Sequence, residues 1–182
     1  LGLIGTFWIS QQFVEAAIQT TEFGLQAVYS RDVVKAREFG APYNAVSYYD
    51  SLDDLGADSD VDAVYIASPN SLHAPQAIKM LEYGKHVICE KPMASNVLLA
   101  QAMFKAAEEN NVVLFEAFMS PYTPNFQVLK ESLLTIAPLR HATISYCQYS
   151  SRYQKYLNGE NPNTFNPEFS NGSIMDLSLI HI

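Results

Sequence analysis

The sequence has few basic residues, few cysteines and no long apolar run. It contains 11 Lys and Arg residues against 19 Asp and Glu, which gives the 182-residue chain a formal net charge of −8. Nucleic-acid binding requires clustered positive charge, so we expect no nucleic-acid partner. No apolar run reaches the ~18 residues of a membrane span, so we expect no membrane partner either.

The two cysteines, Cys89 and Cys147, belong to no Cys-x-x-Cys motif and to no Cys/His cluster. Such a pattern is typical of neither a disulfide scaffold nor a zinc site. We therefore expect no bound metal, and a reducing cytoplasm as the location. With 48% hydrophobic residues, the chain is long enough for one domain with a sizeable core, or for one domain and part of another.

Short apolar runs alternate with helical patterns over about the first 118 residues. Runs of this kind are typical of buried parallel strands, and they lie at residues 1–4, 25–29, 44–48, 63–67, 86–89 and 112–115. Between them, apolar residues recur at helical spacing, and Ser51 with Asp54 resembles a helix cap. The alternation predicts an α/β fold with a doubly wound parallel sheet over residues 1–118.

The pattern changes after residue 118. Pro121 and Pro124 interrupt the chain, residues 125–134 have helical spacing, and residues 141–149 are β-rich. Residues 153–169 are rich in Asn, Pro and Tyr, and this predicts a long loop. We expect residues 119–176 to be the beginning of a second domain that is incomplete.

The last six residues, 177–182, have the sequence LSLIHI. These residues can be encoded by CTG TCT CTT ATA CAC ATC, the end sequence of a transposase that is widely used to prepare sequencing libraries. We expect them to be a translated adapter and leave them out of functional reasoning. A natural amphipathic tail is the alternative.

The turn after the first strand is similar to a dinucleotide-binding fingerprint, G-x-G-x-x-G/A between a strand and a helix. Gly5 has the first position and Ser10, a small residue, has the third, whereas Phe7 stands where the second glycine belongs. A side chain at that place should crowd the pyrophosphate, although the start of the helix would still offer N–H groups to a phosphate. An ordinary tight turn is the alternative.

The second strand ends at Tyr29-Ser30-Arg31. An NAD site usually has Asp or Glu at this point, where the carboxylate holds the ribose hydroxyls. The hydroxyl of Ser30 and the guanidinium of Arg31 suit a 2′-phosphate instead. We therefore expect NADP(H) to be preferred, with NAD(H) as the other cofactor. The alternative for Arg31 is a solvated residue at the start of a helix.

The fourth strand is followed by Ser68, Pro69, Asn70 and His73, at the edge of the sheet where α/β folds bind ligands. Asn70 could bind a cofactor or cap the next helix, and capping is the more common role. A histidine one turn into a helix more often packs than catalyses.

Glu90-Lys91-Pro92 directly follows the fifth strand. A lysine at the carboxyl end of a strand faces the ligand cleft, and its ammonium can donate a proton to a substrate oxygen. Pro92 fixes the backbone where the chain turns away. A surface ion pair between Glu90 and Lys91 is the alternative.

These motifs, in their order and spacing, resemble the glucose–fructose oxidoreductase / inositol dehydrogenase (Gfo/Idh/MocA) family. The motifs are Gly5-Thr6 with Trp8-Ile9, Ser68-Pro69-Asn70 with His73, and Glu90-Lys91-Pro92, the hallmark of that family. The resemblance covers residues 1–176 and is nearest to the dihydrodiol and sugar dehydrogenase-like members. Residues 172–177, GSIMDL, resemble the Gly-rich segment that leads into the catalytic helix of that family. This resemblance implies that Asp176 lies on the substrate side. In that family a Gly and then a catalytic His or Tyr follow this segment. His181 lies one position too far from Asp176 to match that residue, so we assign it no catalytic role.

The resemblance implies an NAD(P)-dependent oxidoreductase that transfers a hydride between a nicotinamide cofactor and a sugar, polyol or diol-type alcohol or carbonyl. It implies a Rossmann domain, followed by the start of a truncated α+β domain with a mainly antiparallel sheet. Lys91 would be the catalytic residue. The cofactor-binding residues would be Gly5, Thr6, Trp8, Ile9, Ser30, Arg31, Ser68, Pro69, Asn70, His73, Glu90 and Lys91.

A rival hypothesis is a non-catalytic nucleotide-binding sensor or regulator with the same fold, which Phe7 favours. The family resemblance also implies a small-molecule substrate and a homo-oligomer when the protein is full length. We expect no turnover from the 182-residue chain alone, because most of the domain that contacts the substrate, together with the second catalytic group, is missing from it.

Overall fold

The computed structural model describes residues 1–136, 138–145, 147, 149–162 and 165–171. The chain divides into two compact units, Leu1–Ala117 with Asn163–Ile182, and Phe118–Pro162. The predicted domain extents, residues 1–118 and 119–176, remain predictions. Asp176 and the predicted tail at 177–182 lie outside the described residues.

The first unit contains a six-stranded, fully parallel sheet in the order β3-β2-β1-β4-β5-β6. The strands are β1 (Gly2–Ile4), β2 (Ala27–Tyr29), β3 (Ser47–Tyr49), β4 (Ala63–Ile66), β5 (His86–Glu90) and β6 (Leu114–Ala117). The order runs outward from β1 to β3 on one side and from β4 to β6 on the other. This is the predicted doubly wound sheet, in which the strand order reverses between β1 and β4.

Each of the first five strands is followed by a helix. These helices are α1 (Trp8–Gln19), α2 (Val33–Gly40), α3 (Leu52–Ala57), α4 (Asn70–Glu82) and α5 (Val97–Glu109). None of the described helices is long and apolar enough to cross a membrane.

The inner strands β1, β2 and β4 are buried on both faces of the sheet, which explains why they are continuous apolar runs. Neighbouring strand residues point to opposite faces, so Leu3 and Tyr65 belong to the core that α1 and α2 cover, with Val14 from α1. Ile4 and Ile66 belong to the other core, which contains residues of α3, α4 and α5. The two faces together fix the position of the strand ends that form the site.

The second unit contains α6 (Pro124–Thr135), close to its predicted bounds, and α7 (Tyr153–Leu157). The prediction of one long loop over 153–169 is wrong, because α7 and a 3₁₀ turn at Pro167–Phe169 lie within it. Local hydrogen bonds stabilise that turn, in which the Asn166 side chain accepts from the Glu168 N–H. The described residues of the second unit include no strand, so its antiparallel sheet remains an expectation.

Candidate cofactor-binding site

The predicted site residues of the first unit lie at the carboxyl edge of the sheet. Four neighbouring strands pass through one row of paired residues, namely Tyr29, Ile4, Ile66 and Cys89. The next residue of each strand lies at that edge, namely Ser30, Gly5, Ala67 and Glu90. Ligands of open α/β sheets bind outside this edge, at the point where the strand order reverses.

Gly5 has a backbone conformation and a close neighbour that both require glycine. Its φ is +104°, and a Cβ at this position would lie 2.6 Å from the Ala67 carbonyl oxygen. The chain leaving β1 therefore turns towards α1 while it touches the end of β4. A tight turn of this kind is what the first glycine of the fingerprint provides.

The starts of α1 and α4 lack side-chain caps. The caps of α2, α3 and α5 are Asp32, Ser51 and Asn96, whose side chains accept hydrogen bonds from first-turn N–H groups. At α1 and α4 the cap residues are Phe7 and Pro69, which make no such bond. Because β1 and β4 are adjacent, two helix starts without caps follow the two central strands. Helix starts carry partial positive charge and N–H donors, so this region fits the phosphates of a dinucleotide.

Phe7 and Trp8 are both exposed at the start of α1, by 65% and 62%. The backbone of Phe7 is extended, with φ −100° and ψ 176°, so a glycine conformation is not needed there. Ser10, at the third fingerprint position, is fully buried, as close packing of the helix on the sheet requires. Crowding of a pyrophosphate by the Phe7 ring remains a prediction.

Ser30 and Arg31 form the loop between β2 and α2. The Ser30 N–H donates to the Tyr49 carbonyl oxygen at 3.0 Å, and its hydroxyl accepts from the Asp32 N–H at 3.4 Å. Arg31 is exposed. The carboxylate of Asp32, the residue after Arg31, accepts the Val34 N–H at 3.0 Å. That carboxylate therefore caps α2 and is itself exposed beside Arg31.

The loop between β4 and α4 is held by side chains that were predicted to contact the cofactor. The Ser68 hydroxyl donates to Gln76 Oε1 at 2.6 Å. Of the two roles considered for Asn70, capping of α4 is wrong, because Pro69 is the cap residue and Asn70 is the first residue of the helix. The Asn70 amide instead donates to the Ser170 carbonyl oxygen at 3.1 Å and to Asn171 Oδ1 at 2.7 Å.

His73 is buried, and both of its ring nitrogens contact backbone carbonyl groups. Nδ1 lies 2.8 Å from the Pro92 oxygen and Nε2 lies 2.8 Å from the Ser68 oxygen. The ring thus links the loop after β4 to the loop after β5. Burial lowers the pKa of His73, and the two carbonyl groups oppose this only in part. Each nitrogen faces a carbonyl oxygen of the protein, and a neutral ring donates a hydrogen bond from only one of them. The buried ring between two loops is typical of a packing histidine.

Glu90 is fixed through both carboxylate oxygens. Oε1 accepts the Tyr65 hydroxyl at 2.7 Å, and Oε2 accepts the Lys91 N–H at 3.2 Å. Lys91 is half-buried directly after the strand. Met93, two residues further along the loop, is also held, because its N–H donates to Glu116 Oε1 at 2.9 Å.

Tyr65 is a site residue that the sequence did not reveal. It lies inside the apolar run Ala63–Ile66 and is only 1% exposed, so it reads as an ordinary core residue. Its hydroxyl is the sole polar group of that strand's side chains, and this is the one signal that could have indicated a buried hydrogen bond. In the described part of the chain, no cluster of three His, Cys, Asp or Glu could hold a metal ion.

Comparison with known proteins identifies relatives that are named oxidoreductases or dehydrogenases. The family model GFO_IDH_MocA, described as "Oxidoreductase family, NAD-binding Rossmann fold", matches residues 1–118. The uncharacterized oxidoreductase YgjR of Escherichia coli (strain K12) is 51% identical over 177 residues, which cover 97% of this chain and 54% of that protein. The scyllo-inositol 2-dehydrogenase (NADP(+)) IolU of Bacillus subtilis (strain 168) is 48% identical with the same coverage.

Solved structures share the fold. The crystal structure of KijD10, a 3-ketoreductase from Actinomadura kijaniata in complex with NADP, has a TM-score of 0.70 at 28% identity, over 75% of this chain and 44% of that one. An NAD-binding oxidoreductase from Klebsiella pneumoniae has a TM-score of 0.66 at 33% identity, over 74% of this chain and 38% of that one. The chain spans about half the length of the curated relatives just named. From its sheet, its motifs and these matches, the chain belongs to the Gfo/Idh/MocA oxidoreductase family, with an NAD-binding Rossmann fold.

Proposed function

We propose that the intact protein is an NADP(H)-preferring oxidoreductase that acts on a sugar, polyol or diol-type alcohol or carbonyl. The observation that carries this proposal is the Glu90–Lys91 pair at the carboxyl end of β5, on the same sheet edge as two helix starts without caps. The name of its relative IolU, an NADP(+)-dependent inositol dehydrogenase, supports the substrate class.

The residues of the chain would hold the cofactor along the sheet edge. The start of α1, with Gly5, Thr6, Trp8 and Ile9, would bind the pyrophosphate mainly through backbone N–H groups. Exposed Arg31, beside Ser30, would pair with a 2′-phosphate through charge-assisted hydrogen bonds. When bound, the nicotinamide supplies or accepts the hydride.

The nicotinamide side would be formed by the loops after β4 and β5. Lys91 would donate a proton to the carbonyl oxygen of the substrate during reduction, and its neutral amine would accept the proton from the hydroxyl during oxidation. Glu90 binds the Lys91 N–H and so fixes the backbone from which the ammonium extends. Ser68, Pro69 and Asn70 would line the same side, whereas His73 would act by supporting both loops.

Two further features of the intact protein are proposals. Its location would be the cytoplasm, supported by Cys89 and Cys147, which are both unpaired thiols. It would form a homo-oligomer, as the resemblance to its family implies. Light scattering on the full-length protein measures its oligomeric state.

The test of the catalytic assignment is Lys91→Met in the full-length enzyme. Methionine keeps much of the side-chain volume and removes the charge and the proton, so we expect kcat to fall about 10²- to 10⁴-fold. The dissociation constant for NADPH should hardly change, because the main anchors would be the first turn and Arg31. NADPH oxidation would be followed with inositol-, aldose- and diol-derived carbonyl compounds, and Lys105→Met, an exposed lysine on α5, is the matched control.

Three results would contradict parts of the proposal. A kcat for Lys91→Met within about threefold of wild type would remove Lys91 from the chemistry. Loss of NADPH binding in that variant would make Lys91 a cofactor or structural residue. NADPH binding by the wild type, without turnover of any of these compounds, would favour the non-catalytic sensor.

A further inference from the structure

We propose that Tyr65 is a positioning residue, which holds the Glu90 carboxylate and through it the backbone of Lys91. This inference rests on the proposed function, because it assigns a role in the reaction of Lys91. Tyr65 itself would contact neither cofactor nor substrate.

The sheet register brings Tyr65 and Glu90 to the same face. Tyr65 of β4 is paired with Ile88 of β5, and Glu90 lies two residues further along β5. Residues two apart on a strand point to the same side, so the Tyr65 ring extends along that face towards the end of β5. Its hydroxyl donates to Glu90 Oε1 at 2.7 Å, a short bond of the charge-assisted kind.

The Tyr65 ring has little freedom to move. It is 1% exposed and stacks on Phe13, with ring centroids 3.7 Å apart and planes 2° from parallel. Phe13 lies on α1, the helix whose start would hold the pyrophosphate. A continuous path of contacts therefore runs from Phe13 on α1 through Tyr65 to Glu90.

The hydroxyl can act only as a donor to this carboxylate at neutral pH. Burial, followed by the hydrogen bond to Glu90, raises the pKa of Tyr65 well above its usual value, so the phenol keeps its proton. The other oxygen of Glu90 accepts the Lys91 N–H at 3.2 Å. Without the Tyr65 hydroxyl, the carboxylate loses one of these two hydrogen bonds, and the restraint on Lys91 weakens.

The direct test is Tyr65→Phe in the full-length holoenzyme, since phenylalanine retains the stacked ring and removes only the hydroxyl. We expect kcat to fall about 10- to 100-fold, the equivalent of one hydrogen bond to a charged group. The KM and the dissociation constant for NADPH should stay near wild type. Tyr49→Phe is the matched control, because the Tyr49 hydroxyl also donates to a carboxylate, that of Asp58 at 3.1 Å. Tyr49 lies on the edge strand β3, so the kcat of this variant should stay near wild type.

A double-mutant cycle with Glu90→Ala, which leaves no acceptor for the Tyr65 hydroxyl, separates positioning from general stability. If Tyr65 acts through Glu90, the double variant should have the kcat of Glu90→Ala alone. This expectation holds even if Tyr65→Phe and Tyr49→Phe lose the same thermal stability. Multiplying kcat losses would overturn the proposal. If Tyr65→Phe does not fold, Glu90→Asp withdraws the carboxylate from the hydroxyl and should also lower kcat at unchanged NADPH affinity.

The failure of this inference is distinguishable from the failure of the proposed function. A Tyr65→Phe enzyme with wild-type kcat, alongside an inactive Lys91→Met enzyme, would overturn the role of Tyr65 alone. A fully active Lys91→Met enzyme, or a wild type without turnover, would overturn both.

Discussion

Replacing Gly5 with alanine should destabilise the nucleotide-binding sheet through two separate effects. A φ of +104° is unfavourable for any residue with a Cβ, at about 1–2 kcal/mol. The new methyl would also lie 2.6 Å from the oxygen and 2.8 Å from the carbon of the Ala67 carbonyl. Because these are backbone atoms at the end of β4, a strand end must shift, at about 1–3 kcal/mol. We expect a total loss of about 2–5 kcal/mol in the free energy of unfolding.

Two other glycines separate these effects. Gly84 also has a positive φ, +74°, but a Cβ there would meet nothing within 4 Å, so Gly84→Ala measures the conformational cost alone. Gly24 has neither constraint, and Gly24→Ala should leave stability within about 0.5 kcal/mol of wild type. Urea unfolding of each variant, followed by far-UV circular dichroism, gives the three values. A Gly5→Ala variant no less stable than Gly84→Ala would refute the close approach of β1 to the end of β4.

The remaining predictions concern Arg31 and His73. Arg31→Ala should weaken NADP(H) binding about tenfold or more and leave NAD(H) binding unchanged, since only NADP(H) carries a 2′-phosphate. Calorimetry measures both dissociation constants, with Lys35→Ala as the control. Equal losses of affinity for the two cofactors would exclude the role of Arg31. For His73, the folded pKa is lowered from its ordinary value of 6.5, so below pH 6.5 the unfolded chain binds a proton that the folded chain does not. Stability should therefore fall as the pH drops below that value, and His73→Gln should lose part of this dependence. Greater stability of the wild type at low pH would instead mean that the Ser68 and Pro92 carbonyls hold the ring protonated.

The sheet could be predicted because each strand carries its own local signal. Parallel strands buried on both faces are continuous apolar runs, and a turn or helix pattern separates each run from the next. The Ser51 cap was predicted in the same way, because the hydrogen bond from Asp54 N–H to the Ser51 hydroxyl joins residues three apart. The cap of α4 was not, because Asn70 is a preferred cap residue by type, whereas the extended backbone of Pro69 takes that position.

The contacts that organise the candidate site could not be predicted in this way, because their partners are distant in sequence and meet only through the register. Tyr65 reaches Glu90 across 25 positions, and His73 reaches the Pro92 carbonyl across 19. Tyr65 looks like a core residue on its strand, since its apolar neighbours dominate the local pattern, whereas the motif that contains His73 does not indicate which groups its ring contacts. A sequence motif indicates which residues would meet the cofactor, here Gly5 and Lys91, because backbone turns and strand ends are local features. It does not indicate what holds those residues in place, because that depends on which side chains the sheet aligns at its carboxyl edge.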